Sequence, residues 1–106
     1  MTDTEIYWEG QSGKDYLYWI HRIGTFFNDE PGNYILAKEV EAGSWEAVYI
    51  GHTASLQKQL VDPEKEACAK QNGATHVHVH STPTGESRRA AEQIDLVAKW
   101  RPVCNE

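Results

Sequence analysis

The sequence predicts an α+β fold, a small antiparallel β-sheet flanked by helices. Three observations predict it. Residues 75–81 (THVHVHS) alternate between polar and apolar side chains, the period of a strand. Two runs rich in aromatic and β-branched residues, 33–39 (NYILAKE) and 45–51 (WEAVYIG), flank the turn cluster Glu41-Ala42-Gly43-Ser44 and read as a hairpin. Residues 86–100 place Ile94, Leu96, Val97 and Trp100 on an apolar stripe, with Ala90 and Ala91 a turn earlier, which is a helical pattern.

Taken in order, residues 4–10 (TEIYWEG) and 15–24 (DYLYWIHRIG) are two further strands, joined by the turn Gln11-Ser12-Gly13-Lys14. Asn28-Asp29-Glu30-Pro31-Gly32 punctuates the chain before the second hairpin. Thr53 or Ser55 can cap a helix running to about Val61. Pro63 interrupts it and is suited to the first turn of a new helix over 64–71, with Gly73 as its stop. Thr82-Pro83-Thr84-Gly85 turns the chain into the last helix, and Pro102 ends that helix. The expected order is β-β-β-β-α-α-β-α within one compact domain.

Composition narrows the function classes. At 106 residues and a net charge of −6, the chain has the wrong overall sign for a protein held by the phosphate backbone. Its only adjacent basic pair is Arg88-Arg89, so nucleic acid is disfavoured as a partner and a protein partner is open. The opening residues, Met1 to Glu5, show neither a basic nor an apolar leader segment, and no apolar run nears the roughly 20 residues that span a membrane. The expected setting is cytoplasmic, with no membrane partner. Cys68 and Cys104 fit neither a CxxC pair nor a zinc spacing and are expected as free buried thiols.

Two tripeptides carry a family resemblance. Gly32-Asn33-Tyr34 opens one strand of the second hairpin, and Tyr49-Ile50-Gly51 closes the other. The run from Tyr49 through His52 to Leu60, and the stretch from Glu92 to the Pro102-Val103-Cys104-Asn105 ending, continue the likeness. Together they resemble the GIY-YIG nuclease superfamily over residues 32–105. The implied organisation is a GIY-YIG-like domain at 32–106 preceded by a hairpin extension at 1–31.

The resemblance implies a one-metal phosphodiester hydrolysis. Its site would comprise Tyr34, Tyr49, Gly51, His52, Gln59, Gln93 and Asn105, with Mg²⁺ or Mn²⁺ as cofactor. The departures are informative. The family's arginine corresponds to Gln59 and its metal-binding glutamate to Gln93. Arginine offers a permanent charge and a forked donor for phosphate, and a hard cation needs an anionic oxygen. Glutamine supplies neither. The expectation is a degenerate active site kept as a binding module. A first alternative is an active metal-dependent endonuclease using Glu92 as metal ligand, with Lys58, Arg88 or Arg89 contacting nucleic acid or another anion. A second is a metal site on His76, His78 and His80. Neighbouring same-face residues on a strand lie nearly 7 Å apart, which is long for three ligands to one ion.

Overall fold

The computed structural model describes residues 4–59 and 63–105. Five strands form one sheet in the order β1-β2-β5-β3-β4, and every neighbouring pair is antiparallel. The strands are β1 (Glu5–Glu9), β2 (Asp15–Arg22), β3 (Gly32–Glu41), β4 (Ser44–Thr53) and β5 (His76–Ser81). The helices are α1 (Leu56–Gln59), α2 (Pro63–Gln71) and α3 (Glu86–Trp100), followed by a 3₁₀ turn at Val103–Asn105.

The α+β reading of the sequence therefore holds, and the capping logic explains its local breaks. Ser55 caps α1, its Oγ accepting from Lys58 N at 3.3 Å. The expected end of that helix, residues 60–61, lies outside the described residues. Gly73 ends the turn after α2 with φ of 87°, a backbone state that costs glycine little. Arg101 ends α3 in the left-handed region with φ of 44°, its N–H bonded to Val97 O at 2.9 Å, and Pro102 then forbids continuation.

The hairpin β3–β4 carries one extra residue in each strand. Leu36 pairs with Tyr49 but Ala37 with Ala47, so Val48 is unopposed; a second shift lies between Glu39 and Glu41. Each bulge leaves one residue out of the ladder and bends its strand.

The N-terminal hairpin is part of the same sheet, because β2 pairs with β5 from Trp19–Val79 to Arg22–His76. It is also tied to α3. Asp95 accepts from Ser12 N at 2.8 Å, Ser12 Oγ at 2.7 Å and Tyr16 Oη at 2.8 Å, while Trp100 Nε1 donates to Glu9 O at 2.8 Å. Lys99 pairs with Glu9.

Each face of the sheet has its own core. On one, Tyr34, Leu36, Val48, Val77 and Val79 pack with Leu56, Ala69 and Cys104. On the other, Trp8, Tyr18, Ile35, Ala37 and Ile50 pack beneath Leu96 of α3. Two expectations need correction. Cys68 and Cys104 are not free thiols: they form a disulfide, Cα to Cα 6.0 Å, joining α2 to the 3₁₀ turn. Ile94 is not part of the buried stripe of α3, being 69% exposed; the helix buries Arg89, Glu92 and Leu96 at spacings of three and four.

Candidate functional site

The tyrosines of the two tripeptides meet. Tyr34 stands opposite Gly51, and Tyr49 opposite Leu36, so the rings pack diagonally with centroids 5.9 Å apart. Gly51 is what allows it. A Cβ there would lie 2.7 Å from Tyr34 Cζ and 2.8 Å from Tyr49 Cε2, too close for any real contact. The glycine is demanded by space.

Gln93 and Asn105 converge on the peptide between those motif residues. Asn105 Oδ1 accepts from Ile50 N at 2.8 Å, and its Nδ2 donates to Ile50 O at 2.8 Å. Gln93 Nε2 donates to the same Ile50 oxygen at 3.0 Å. Gln59 ends α1 half-buried, its N–H bonded to Ser55 O at 3.0 Å, and Lys58 beside it is exposed.

His52 and Glu92 do not join this group. His52 pairs with Asn33 on the face opposite Gly51, and its Nδ1 is buried without a hydrogen-bond partner among the described residues. Asn33, the middle residue of the first tripeptide, is fully buried. Its Nδ2 donates to Arg89 O at 3.0 Å and its Oδ1 accepts from Thr82 Oγ1 at 2.8 Å. A polar residue stands in that position because it ties β3 to the turn after β5 and to α3.

Glu92 is buried under α3 and holds two partners on one oxygen. Tyr18 Oη donates to its Oε2 at 2.5 Å, and His80 Nε2 lies 2.5 Å from the same atom. The His80 and Tyr18 rings meet edge to face at 4.6 Å. His80 Nδ1 faces Ser81 O at 3.1 Å, so neither ring nitrogen is an open acceptor. Burial and the neighbouring Glu92 charge push the Tyr18 hydroxyl well above the ordinary tyrosine range. Tyr16, desolvated and bonded to Asp95, is pushed up to about 12. Asp95 is held below the usual carboxylate range by its bonds from Ser12.

This cluster floors a groove of about 460 Å³ whose walls include Lys14, Tyr16, Thr82, Thr84, Ser87 and Arg88. Arg88 and Arg89 separate here. Arg88 is exposed at the groove, whereas Arg89 is buried, donating to Thr82 O at 3.4 Å with its Nε unpartnered among the described residues. Arg89 is thus no surface contact for an anion.

The three histidines of β5 do not converge: Trp45 packs between His76 and His78, and His80 turns to Glu92. His76 packs on the Trp45 ring, His78 accepts from Trp8 Nε1 at 3.0 Å, and His80 bonds Glu92. His78 is fully buried, and desolvation brings its pKa down to about 3. The described residues contain no cluster of three His, Cys, Asp or Glu suited to a metal.

The residues present do not fit the Mg²⁺ or Mn²⁺ ion that the resemblance implies. Position 93 offers an amide directed at a carbonyl, and Glu92 is bonded to Tyr18 and His80 on the far side of the sheet from Tyr34. The sequence reading missed Lys14, Tyr16, Tyr18 and Thr82. The available signal was the alternation Tyr16-Tyr18 in β2, whose inward face continues the histidine face of β5. Comparisons with protein-family models, with curated proteins and with solved structures found no match.

Proposed function

We propose that the chain is a GIY-YIG-like domain that has lost phosphodiester cleavage and serves as a non-catalytic binding module. The observation that carries this reading is the bond from Gln93 Nε2 to Ile50 O. A carboxylate at position 93 would set its oxygens against that carbonyl, whereas the amide donates to it. The residue expected to hold a metal has become part of the scaffold. Gln59 likewise brings no charge to a phosphate. Glu92 offers no substitute, since its carboxylate is buried beneath α3 and already accepts two hydrogen bonds.

A protein is favoured over nucleic acid as the partner. The net charge of −6 opposes phosphate, and Tyr7, Trp19 and Phe26 expose aromatic surface. The purified chain should leave supercoiled plasmid intact with Mg²⁺ or Mn²⁺. It should bind duplex DNA no tighter than the roughly 10⁻⁴–10⁻⁶ M of non-specific association. Gln59→Arg combined with Gln93→Glu should recover some metal-dependent nicking, and either change alone far less, because such groups act as a unit. Robust nicking by the unaltered chain, abolished in a folded Glu92→Ala variant, would reverse the proposal.

A further inference from the structure

We propose that the groove between the start of β2, the end of β5 and the first turns of α3 binds a small phosphate monoester, gripped by Lys14 and Arg88. The inference does not rest on the nuclease-like reading, because the groove belongs to the α3 side of the sheet and the tyrosine pair to the other.

Size comes first. A volume of about 460 Å³ falls within the range of small-ligand sites. Charge comes second. In a chain of net charge −6, this groove gathers two cations, and neither Lys14 nor Arg88 forms an ion pair among the described residues. The two nearby carboxylates are already satisfied. Glu92 accepts from Tyr18 and lies against His80, and Asp95 accepts from Ser12 and Tyr16. Both carboxylates keep their charge, and Asp95 offsets part of the field of Lys14, but neither pairs directly with Lys14 or Arg88, so an entering anion meets two cationic donors with free hydrogen-bonding capacity.

Geometry of the helix comes third. α3 begins after Gly85, which provides no side-chain cap, so its first amides keep their hydrogen-bonding capacity. Their dipole favours an anion and disfavours Arg88 in the same turn unless an anion sits between them. Thr84 and Ser87 add hydroxyl donors on the groove wall. Lys14 is steadied from the opposite wall, its Nζ 5.4 Å over the Tyr16 ring. Two cations, hydroxyls and uncapped amides suit the doubly charged phosphate better than a single carboxylate. The bonded His80–Glu92 pair keeps the floor rigid without taking part in the grip.

The test is a titration of the full chain, followed by amide chemical shifts, with glycerol phosphate as one probe and a 5′-phosphorylated dinucleotide as the other. Saturable shifts are expected at Lys14 and over 84–88. Lys14→Gln and Arg88→Gln should each weaken binding about tenfold or more, the worth of one charge-assisted hydrogen bond. Both residues are exposed, so each variant should keep the native circular dichroism spectrum. Lys70→Gln, on α2, should leave affinity unchanged, and Glu86→Gln at the start of α3 should tighten it. Binding of the dinucleotide but not of glycerol phosphate would assign the phosphate to a nucleotide, and the reverse to a small metabolite. Absence of saturable shifts with both probes, or an equal loss in the Lys70 variant, would overturn the proposal.

Discussion

Alternate residues of β5 enter two different interiors. Val77 and Val79 join an apolar layer with Tyr34, Leu36, Leu56 and Ala69, sealed at one side by the Cys68–Cys104 disulfide. His76, His78 and His80 enter a layer under α3 in which Trp45, Trp8 and Glu92 are their respective neighbours. Both interiors are buried, yet they are held differently. The first is built mostly of apolar side chains and carries a covalent tie. The second pairs most of its buried polar groups and leaves His52 Nδ1, His78 Nε2 and Arg89 Nε unmatched among the described residues, each at a cost of about 1–3 kcal/mol. The lesson is that the motif tyrosines and the groove chemistry are separated by one sheet thickness. The motif tyrosines lie in the mainly apolar layer, and the carboxylate–histidine pair lies in the polar one.

That contrast can be broken most forcefully with acid. His78 has a folded pKa of about 3 against an ordinary value of 6.5. Between those values the unfolded chain takes up a proton that the folded chain refuses. Its contribution is complete above pH 6.5 and is lost as pH falls toward 3, about 4–5 kcal/mol in all. Denaturant unfolding across that range should show the decline. His78→Gln keeps an acceptor for Trp8 and does not titrate, so it should flatten the slope. An unchanged slope would locate acid sensitivity elsewhere.

The mainly apolar layer should answer to reductant instead. Opening a disulfide that spans 36 residues should cost about 4 kcal/mol on the chain-entropy account. Unfolding with and without reductant measures it. Because the two layers are separate, the reductant effect should be nearly additive with the acid effect. Strong coupling between them would mean the layers are not independent. A smaller effect should come from Gly51→Ala, which overpacks the tyrosine pair by one methyl and should cost about 1–3 kcal/mol in the same assay.

Local signals in the chain were legible, and non-local ones were not. The alternation at 75–81, the Ala42-Gly43 turn and Pro102 each act within a few residues, and the elements they imply are present to within a few residues. Pairing of β2 with β5 depends on residues nearly 60 positions apart, and nothing local encodes it. The disulfide was hidden for the same reason, since a separation of 36 carries no spacing signature. At the site, the meeting of Tyr34 with Tyr49 followed from strand pairing. The fate of Glu92 did not. Hydrophobic periodicity ranks faces by apolar residues, and α3 turns Arg89 and Glu92 inward against polar partners on the sheet. A helix that buries polar groups is invisible to that ranking.

The clamp on Ile50 has a consequence for how the molecule behaves in company. β4 is the last strand of the sheet, and its outer backbone is a template on which another chain could pair. Asn105 presents an amide whose oxygen and nitrogen bond the N–H and C=O of Ile50, much as one residue of a sixth strand would. Gln93 reinforces the carbonyl side. The edge is plugged by side chains at its middle, so a neighbouring copy cannot extend the ladder without first displacing the chain's own C-terminal turn. The disulfide at Cys104, one residue from Asn105, ties that turn to α2.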